Sequence, residues 1–100
     1  MFKYYLGDSA FDWDPGKNLA NIKKHGIIFK EAAEVFRDID AVYIYDGMHS
    51  YDEDRFIVVG LSKLSQVLMV CHCYRDNGNI IRIISARKAT KAERAQYGGR

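Results

Sequence analysis

The fold of this chain is decided by the stretch Arg82-Ile83-Ile84-Ser85-Ala86-Arg87-Lys88-Ala89-Thr90-Lys91-Ala92-Glu93-Arg94. Its first part belongs to a β-branched run that favours a buried strand over residues 80–86. Its second part predicts a helix over residues 90–97, because Thr90 is a good N-cap and Glu93 completes a capping box three residues later. A strand that passes directly into a helix, with several cations at the junction, predicts a binding site for a polyanion.

Length and composition predict one globular domain over residues 1–100. A chain of this size can bury one hydrophobic core, and 48% of its residues are hydrophobic, which is ordinary for a globular protein. No apolar run approaches the roughly 20 residues that span a bilayer, and the first residues lack the apolar region of a signal peptide. We therefore expect a cytoplasmic protein without a membrane segment. Residues 1–10 indicate little beyond a turn at residues 7–9.

The charges are segregated along the chain. Residues 31–54 carry eight acids and one base, whereas residues 75–100 carry seven bases and two acids. A basic segment raises the local concentration of a phosphate-bearing partner. Alternatively, the two blocks fold against each other and their charges cancel.

Two helices are predicted near the N-terminus. The first begins at Asp14-Pro15, an N-cap followed by a favourable first residue, and ends at Gly26. Its apolar stripe is formed by Leu19 and Ile22, helped by Ala20. The second has four apolar residues at the spacing i, i+3, i+4, i+7, which places Glu31 and Glu34 on the solvent side. Those four residues are Phe29, Ala32, Ala33 and Phe36.

About four strands are predicted after the helices, at residues 41–46, 55–61, 67–75 and 80–86. They form an antiparallel meander, because Asn77-Gly78 between the last two strands is a strong hairpin signal. A two-residue turn there places Cys73 opposite Arg82. The same register puts Ser85 on the face of His72 unless a bulge intervenes. Two N-terminal helices, this meander and a short C-terminal helix place the chain in the α+β class.

Arg82 is the most informative charged residue, because a guanidinium inside an apolar strand needs a partner or a cleft. Either it pairs with an acid from the loop at residues 52–54, or it clamps a phosphate. Arg87 lies at the strand exit, where a ligand has better access. Glu53 and Arg55 flank the start of a strand; they either pair in a surface network or bring an ionised, weakly basic carboxylate to the arginines.

Two histidines are candidates for proton transfer near neutral pH. His25 follows Lys23 and Lys24 at a helix end, where it either satisfies the last carbonyls or serves as an acid or base. His72, inside a strand, is either a core histidine or an acid or base. The run Cys71-His72-Cys73 invites a metal interpretation, but the chain has no second pair of cysteines to complete a tetrahedral site. We therefore expect no metal and no other cofactor.

Several segments resemble the BrnT family of ribonuclease toxins from type II toxin–antitoxin systems. The resemblance covers most of the chain from residue 11 and follows the family's order and spacing. It rests on residues 11–18, 21–26, 29–36 and 49–56, the strand around His72, and residues 82–90 with Glu93, Arg94 and Tyr97. Residues 1–10 extend beyond the usual family start. Ile28 stands where the family tends to place a hydroxyl residue that caps the second helix.

The resemblance implies a RelE-like fold, RNA cleavage without a metal, inhibition of translation, and neutralisation by a BrnA-like antitoxin that also binds operator DNA. In metal-free cleavage a ribose 2′-hydroxyl attacks the adjacent phosphate. The enzyme then removes a proton, stabilises added negative charge and protonates the leaving oxygen. The roles implied are charge stabilisation by Arg82 and Arg87, general base catalysis by Glu53 or His72, general acid catalysis by His25, and orientation of the carboxylate by Arg55.

Contacts to RNA are expected from basic residues around this set and from the last helix, namely Lys23, Lys24, Lys88, Lys91, Arg94 and Tyr97. The acidic block at residues 31–54, with its tyrosines Tyr43, Tyr45 and Tyr51, is expected to face the antitoxin. The alternative is a non-catalytic nucleic-acid- or protein-binding module with a basic groove. Such a module would leave RNA intact.

Overall fold

The structure, a computed structural model, describes residues 1–98. Gly99 and Arg100, the end of the basic block, lie outside the described residues. The described strands are β1 (Phe2–Leu6), β2 (Ser9–Trp13), β3 (Val42–Tyr45), β4 (Phe56–Leu61), β5 (Val67–Arg75) and β6 (Ile80–Lys88). The described helices are α1 (Pro15–His25), α2 (Phe29–Glu34) and α3 (Lys91–Gly98), with 3-10 turns at Val35–Arg37 and Gly47–His49.

The α+β class is confirmed, and β3, β4, β5 and β6 form the predicted antiparallel meander. The predicted number of about four strands is wrong, because the sheet also contains β1 and β2. Residues 1–98 form one six-stranded mixed sheet in the order β1-β2-β6-β5-β4-β3. The additional strands are a hairpin, β1–β2, and β2 runs parallel to β6 with Asp12 opposite Arg82. This pairing joins residues 70 positions apart, so no local signal could reveal it. The buried rings of Phe11 and Trp13 anchor β2 to the core.

Helix α1 begins and ends as its sequence predicts. Asp14 Oδ1 accepts a hydrogen bond from the backbone N–H of Gly16 at 2.7 Å. Gly26 takes the left-handed conformation, with φ 73°, and its N–H donates to the Ile22 carbonyl. Glycine suits this position because it lacks a Cβ. The predicted apolar stripe is wrong for Leu19, which is 67% exposed, and for Ala20, which is also exposed, whereas Ile22 is half-buried.

The buried residue of α1 is polar: Asn21 connects the helix to β6. Its Nδ2 donates to the carbonyls of Ile27 and Ala86, at 2.9 and 2.8 Å, and its Oδ1 accepts from the N–H of Ala86 at 3.0 Å. The pairing of β2 with β6 extends to residue 82. Asn21 therefore takes the place of a neighbouring strand at Ala86 and satisfies both of its backbone groups.

Helix α2 buries Phe29, Ala32 and Ala33, and the adjacent Phe36 packs against the same core, as predicted. The prediction that Glu31 faces solvent is wrong. This carboxylate is buried and accepts hydrogen bonds from Ser62 Oγ at 2.7 Å and Gln66 Nε2 at 2.8 Å. It therefore secures the turn between β4 and β5.

The N-terminus of α2 is capped from another helix. Ile28 occupies the N-cap position and supplies no side-chain hydrogen bond. The N–H of Phe29 instead donates to Oδ1 of Asn18, on α1, at 2.9 Å. Asn18 thus supplies the hydrogen bond that a hydroxyl residue at position 28 would otherwise make.

A β-bulge determines which side chains share a face of the sheet. Cys73 lies opposite Arg82, as predicted, but the register shifts between Cys71 and His72 so that Cys71 lies opposite Ser85. The extra residue in β6 turns Ser85 to the face of Arg82, so its predicted place beside His72 is wrong. The bulge also places Arg87 on the face of Arg82, because Arg87 lies two positions after Ser85 and side chains alternate along a strand.

The junction between β6 and α3 carries the predicted capping box. Thr90 Oγ1 accepts from the N–H of Glu93 at 3.2 Å, and Oε1 of Glu93 accepts from the N–H of Thr90 at 2.8 Å. Strand β6 continues to Lys88, two residues beyond the predicted end. Within residues 1–98, no helix has both the length and the apolar character that crossing a lipid bilayer requires.

Candidate active site

The face of the sheet opposite the core carries three adjoining hollows, of about 190, 240 and 370 Å³. All three are lined by Ile84, the residue at the bulge. We call them together the basic trough. Its lining includes the titratable residues Lys17, Lys24, His25, Glu53, Arg55, Arg75, Arg82, Arg87 and Glu93. They come from α1, β5, β6, α3 and the segment before β4.

Arg82 lies in the trough and is held by a buried acid. Asp12 is 3% exposed, and its two carboxylate oxygens accept from Nε and Nη2 of Arg82 at 2.9 and 3.0 Å. Of the two sequence interpretations, neither anticipated this partner: the acid comes from β2 and not from the loop at residues 52–54. Nη1 of Arg82 donates to no residue that the structure describes, so this nitrogen remains available to a ligand.

Glu53 and Arg75 form a second ion pair in the same hollow. Nη2 of Arg75 donates to Oε1 of Glu53 at 2.5 Å. Hydrogen bonding from the Cys73 thiol and from Arg75 lowers the pKa of Glu53, so the carboxylate is ionised at neutral pH. Sequence reasoning paired Glu53 with Arg55 or Arg82 and did not include Arg75 in the site. The hairpin register that places Cys73 opposite Arg82 also puts Arg75 on the face of Arg82, two positions after Cys73, and this was the available signal.

Three cations of the trough, Lys17, Lys24 and Arg55, have no carboxylate partner among the residues that the structure describes. Among residues 1–98, the side chains of Arg55 and Lys17 make no hydrogen bond and no ion pair. Arg55 lines two of the three hollows, and Lys17 lines the hollow of Arg82 and the one beside His25. These side chains can neutralise an incoming phosphate without first releasing an acid.

Arg87 lies at the far end of the trough. Its Nη1 and Nη2 donate to the two carboxylate oxygens of Glu93 at 2.8 and 2.9 Å. These hydrogen bonds lower the pKa of Glu93 to about 2. The pair differs from that of Arg82 in burial, because the Glu93 side chain is 29% exposed and the Asp12 side chain 5%. Glu93 is therefore accessible to solvent, whereas Asp12 is buried beneath Arg82.

His25 lies beside Lys24 in the hollow that adjoins Ser85. Lys23 is exposed on the same helix. The end of α1 therefore brings an imidazole and an ammonium to the rim of the trough.

His72 lies on the opposite face of the sheet and is fully buried. Aromatic side chains surround its ring, with the Phe36 centroid at 4.8 Å and that of Tyr74 at 5.4 Å. Burial lowers the pKa of His72 to about 4, so the ring is neutral at pH 7. The structure does not bring His72 to the trough, and this placement matches the core interpretation of the residue.

The remaining residues predicted to contact RNA lie around α3. Lys88 and Lys91 are exposed near Arg87, and Nη1 of Arg94 donates to the Ala89 carbonyl at 2.9 Å. Tyr97 extends away from this group, because its hydroxyl donates to Asp38 at 2.5 Å. The structure therefore places Tyr97 against the segment before β3 and away from the trough.

The trough has the donors and acceptors that phosphodiester chemistry requires. Guanidinium and ammonium groups can stabilise added charge on phosphate, a carboxylate lies among them, and an imidazole lies at the rim. Within residues 1–98, no group of three or more His, Cys, Asp or Glu side chains is arranged to hold a metal ion.

A mixed sheet with an arginine-lined trough on its open face defines a small α+β protein suited to a phosphate-bearing ligand. A family model described as the ribonuclease toxin BrnT of type II toxin–antitoxin systems matches residues 13–93. The chain therefore belongs to the BrnT family, which confirms the resemblance seen in the sequence. The match begins one residue after Asp12.

Among solved structures, the chain is similar to the ribonuclease toxin BrnT of Brucella abortus, known from a crystal structure at 1.1 Å resolution. The TM-score is 0.60 at 22% sequence identity, and the match covers 79% of this chain and 94% of that one. At this identity the likeness shows a shared fold. A comparison with curated proteins gave no match.

Proposed function

We propose that this chain is an endoribonuclease toxin that cleaves RNA without a metal ion, with the basic trough as its active site. The observation that carries the proposal is that five cations line two adjoining hollows of the basic trough and that Arg55 lines both. These cations are Lys17, Arg55, Arg75, Arg82 and Arg87. Membership of a family of ribonuclease toxins supports it. Cleavage of messenger RNA would inhibit translation in the cytoplasm, as expected for a RelE-like toxin.

The arginines stabilise the negative charge that develops on the phosphate. Asp12 fixes the plane of the Arg82 guanidinium through two hydrogen bonds and leaves Nη1 for a phosphate oxygen. Arg55 contributes a second cation without an internal partner. Arg87 contributes a further cation to the phosphate once the phosphate displaces Glu93. Fixed donors of this kind stabilise a charged transition state more effectively than mobile water does.

Proton transfer is assigned to Glu53 and His25. Glu53 is ionised and close to the arginines, so it can accept the proton of the ribose 2′-hydroxyl, although its lowered pKa makes it a weak base. Arg75 orients this carboxylate, a role that the sequence analysis gave to Arg55. His25 donates a proton to the leaving oxygen. We assign His72 no role in proton transfer, because the sheet separates it from the trough.

RNA binding outside the reacting phosphate is assigned to the exposed lysines beside the trough. Lys23 and Lys24 extend it along α1, and Lys88, Lys91 and Arg94 extend it beyond Arg87. Each is a phosphate contact that adds affinity without sequence specificity.

A toxin of a type II toxin–antitoxin system has a cognate antitoxin as its partner. We propose that this antitoxin is a BrnA-like protein, which neutralises the chain in a hetero-oligomer and binds operator DNA. The toxin contributes the nuclease, and the antitoxin contributes the contacts to DNA.

The decisive experiment incubates the purified chain with total RNA in the presence of EDTA. We expect cleavage, and we expect Arg82→Ala and Arg87→Ala to abolish it while circular dichroism spectra stay unchanged. Arg37→Ala is the matched control, because Arg37 is exposed beside the β1–β2 turn and lies outside the trough. Cleavage that stops on addition of EDTA contradicts a metal-free mechanism.

A second candidate function is a binding module that holds nucleic acid or protein in the trough without cutting. One observation favours it: the guanidinium groups of Arg82 and Arg87 are each held by a carboxylate on two nitrogens. Intact RNA in the same assay, together with retarded migration of the RNA–protein complex, would support this function over the nuclease.

A further inference from the structure

The core-side face of the sheet carries an aromatic patch where β3, β4 and β5 extend beyond the helices. We call it the aromatic face and define it by Tyr43, Tyr45, Phe56 and Tyr74. The rings form a continuous surface: the Tyr45 and Phe56 centroids are 5.5 Å apart, and the Phe56 and Tyr74 centroids are 5.4 Å apart. Tyr43, Tyr45 and Tyr74 are 50%, 55% and 38% exposed. Contiguous exposed aromatic surface of this kind is typical of protein interaction sites.

The surroundings of the aromatic face are acidic. Residues 38–54, which include β3, contain neither lysine nor arginine. Of their six acids, Asp46 and Glu53 line the trough on the other face, and the four that do not are Asp38, Asp40, Asp52 and Asp54. Asp54 accepts the hydrogen bond of the Tyr45 hydroxyl at 3.1 Å. The pKa of Tyr43 is raised by burial and by the negative charges of Tyr74 and Asp38 in their ionised forms. The potential here repels nucleic acid and attracts cationic side chains.

We propose that the aromatic face is the docking surface for a lysine- or arginine-bearing segment of the cognate antitoxin. Exposed tyrosine rings bind guanidinium and ammonium groups over their faces, and the acids around them supply the complementary charge. Strand β3 is a terminal strand of the described sheet. Its outer edge therefore offers backbone hydrogen bonds to an extended segment of the same partner.

The surface lies on the other side of the sheet from the basic trough. Phe56 lies directly opposite His72 in the β4–β5 pair, whereas Cys71 and Arg87 line the trough. Substitutions on the aromatic face therefore separate partner binding from RNA cleavage. The inference rests on the proposed function only in that it takes the partner to be the antitoxin of this toxin.

The test measures the dissociation constant of the antitoxin encoded with this chain, by calorimetry on purified proteins. We expect Tyr45→Ala and Tyr74→Ala each to raise it about tenfold or more, as loss of a central aromatic contact does. Tyr5→Ala is the matched control, because Tyr5 is an exposed tyrosine on β1 at the other edge of the sheet. It should leave the constant unchanged, and all three variants should cleave RNA at the wild-type rate without antitoxin.

Two further variants separate a lost contact from a damaged fold. Tyr74→Phe keeps the ring and should bind with nearly the wild-type constant. Asp54→Lys reverses a surface charge and should weaken binding by an amount that shrinks in high salt. Unchanged binding in Tyr45→Ala and Tyr74→Ala overturns the proposal, as does a wild-type chain that binds no antitoxin. Loss of RNA affinity in these variants, with antitoxin binding intact, would assign the face to nucleic acid instead.

The outcomes are independent of the nuclease assignment. If the trough variants cleave RNA as well as the wild type does, the proposed active site fails while the docking result stands. If the trough variants are inactive and the aromatic variants bind normally, the docking surface fails alone.

Discussion

Replacement of Asn21 by alanine should be among the most destabilising single changes in this chain. The substitution removes three hydrogen bonds and leaves three backbone groups without a partner, namely the carbonyls of Ile27 and Ala86 and the N–H of Ala86. Each unpaired buried polar group costs about 1–3 kcal/mol. Asn21 borders the hollow beside His25, so water can reach part of the vacated site. The free energy of unfolding should therefore fall by about 3 kcal/mol, at the lower end of the range of about 3–9 kcal/mol for three such groups.

Urea unfolding measures this loss. A domain of this size changes its free energy of unfolding by about 1–2 kcal/mol per molar urea, so the midpoint should fall by about 2 M. Asn18→Ala is the matched control, because Asn18 lies on the same helix and accepts one hydrogen bond, from the N–H of Phe29. Its expected cost is about 1 kcal/mol.

Asn21→Asp refines the same argument. The carboxylate can still accept from the N–H of Ala86, but it replaces the amide donor and faces two carbonyl oxygens. It should destabilise the fold about as much as alanine does at neutral pH. A result in which Asn21→Ala is no more destabilising than Asn18→Ala would refute the view that Asn21 satisfies the exposed edge of β6.

Three further predictions concern single side chains. Asp12→Asn should reduce the rate of RNA cleavage at least about tenfold, because it weakens the ion pair that orients Arg82. In the Arg82→Ala background the same substitution should cause no further reduction, which single-turnover rates can test. Burial lowers the pKa of His72 from 6.5 to about 4. The free energy of unfolding should therefore fall by about 2–3 kcal/mol as the pH falls from 6.5 towards 4. Urea midpoints across this range measure the fall, and His72→Leu should abolish it. The pKa of Glu93 is lowered from 4.5 to about 2, so the free energy of unfolding should fall by about 1 kcal/mol as the pH falls from 4.5 towards 2. Thermal unfolding of Glu93→Gln, a substitution that also frees Arg87, should show no such fall.

Local signals predicted the helices well. The Asp14 cap, the Gly26 end of α1 and the Thr90–Glu93 box each depend on residues within a few positions of one another, and the structure confirms all three. The same is true of β5, whose bounds match the prediction, and of the pairing of Cys73 with Arg82 next to the hairpin. Capping and turn chemistry act over short distances, so the sequence contains them in readable form.

Non-local contacts decided the site. Asp12 could not be identified as the partner of Arg82, because the pair depends on a parallel alignment of distant strands. Glu31 and Asn21 carry polar side chains that a periodicity argument places outside, yet both are buried because particular donors and acceptors meet them. Periodicity measures polarity along one segment and contains nothing about the partners that another segment supplies.

The sequence by itself determined the α+β class, the resemblance to the family and three of the four trough arginines, Arg55, Arg82 and Arg87, because local motifs and spacing mark them. The tertiary structure alone decided which of the candidates meet. The bulge at Ile84 turned Arg87 to the face of Arg82 and left His72 in the core on the other. One additional residue in a strand reverses every side chain beyond it, and only the pairing of complete strands shows where that residue lies.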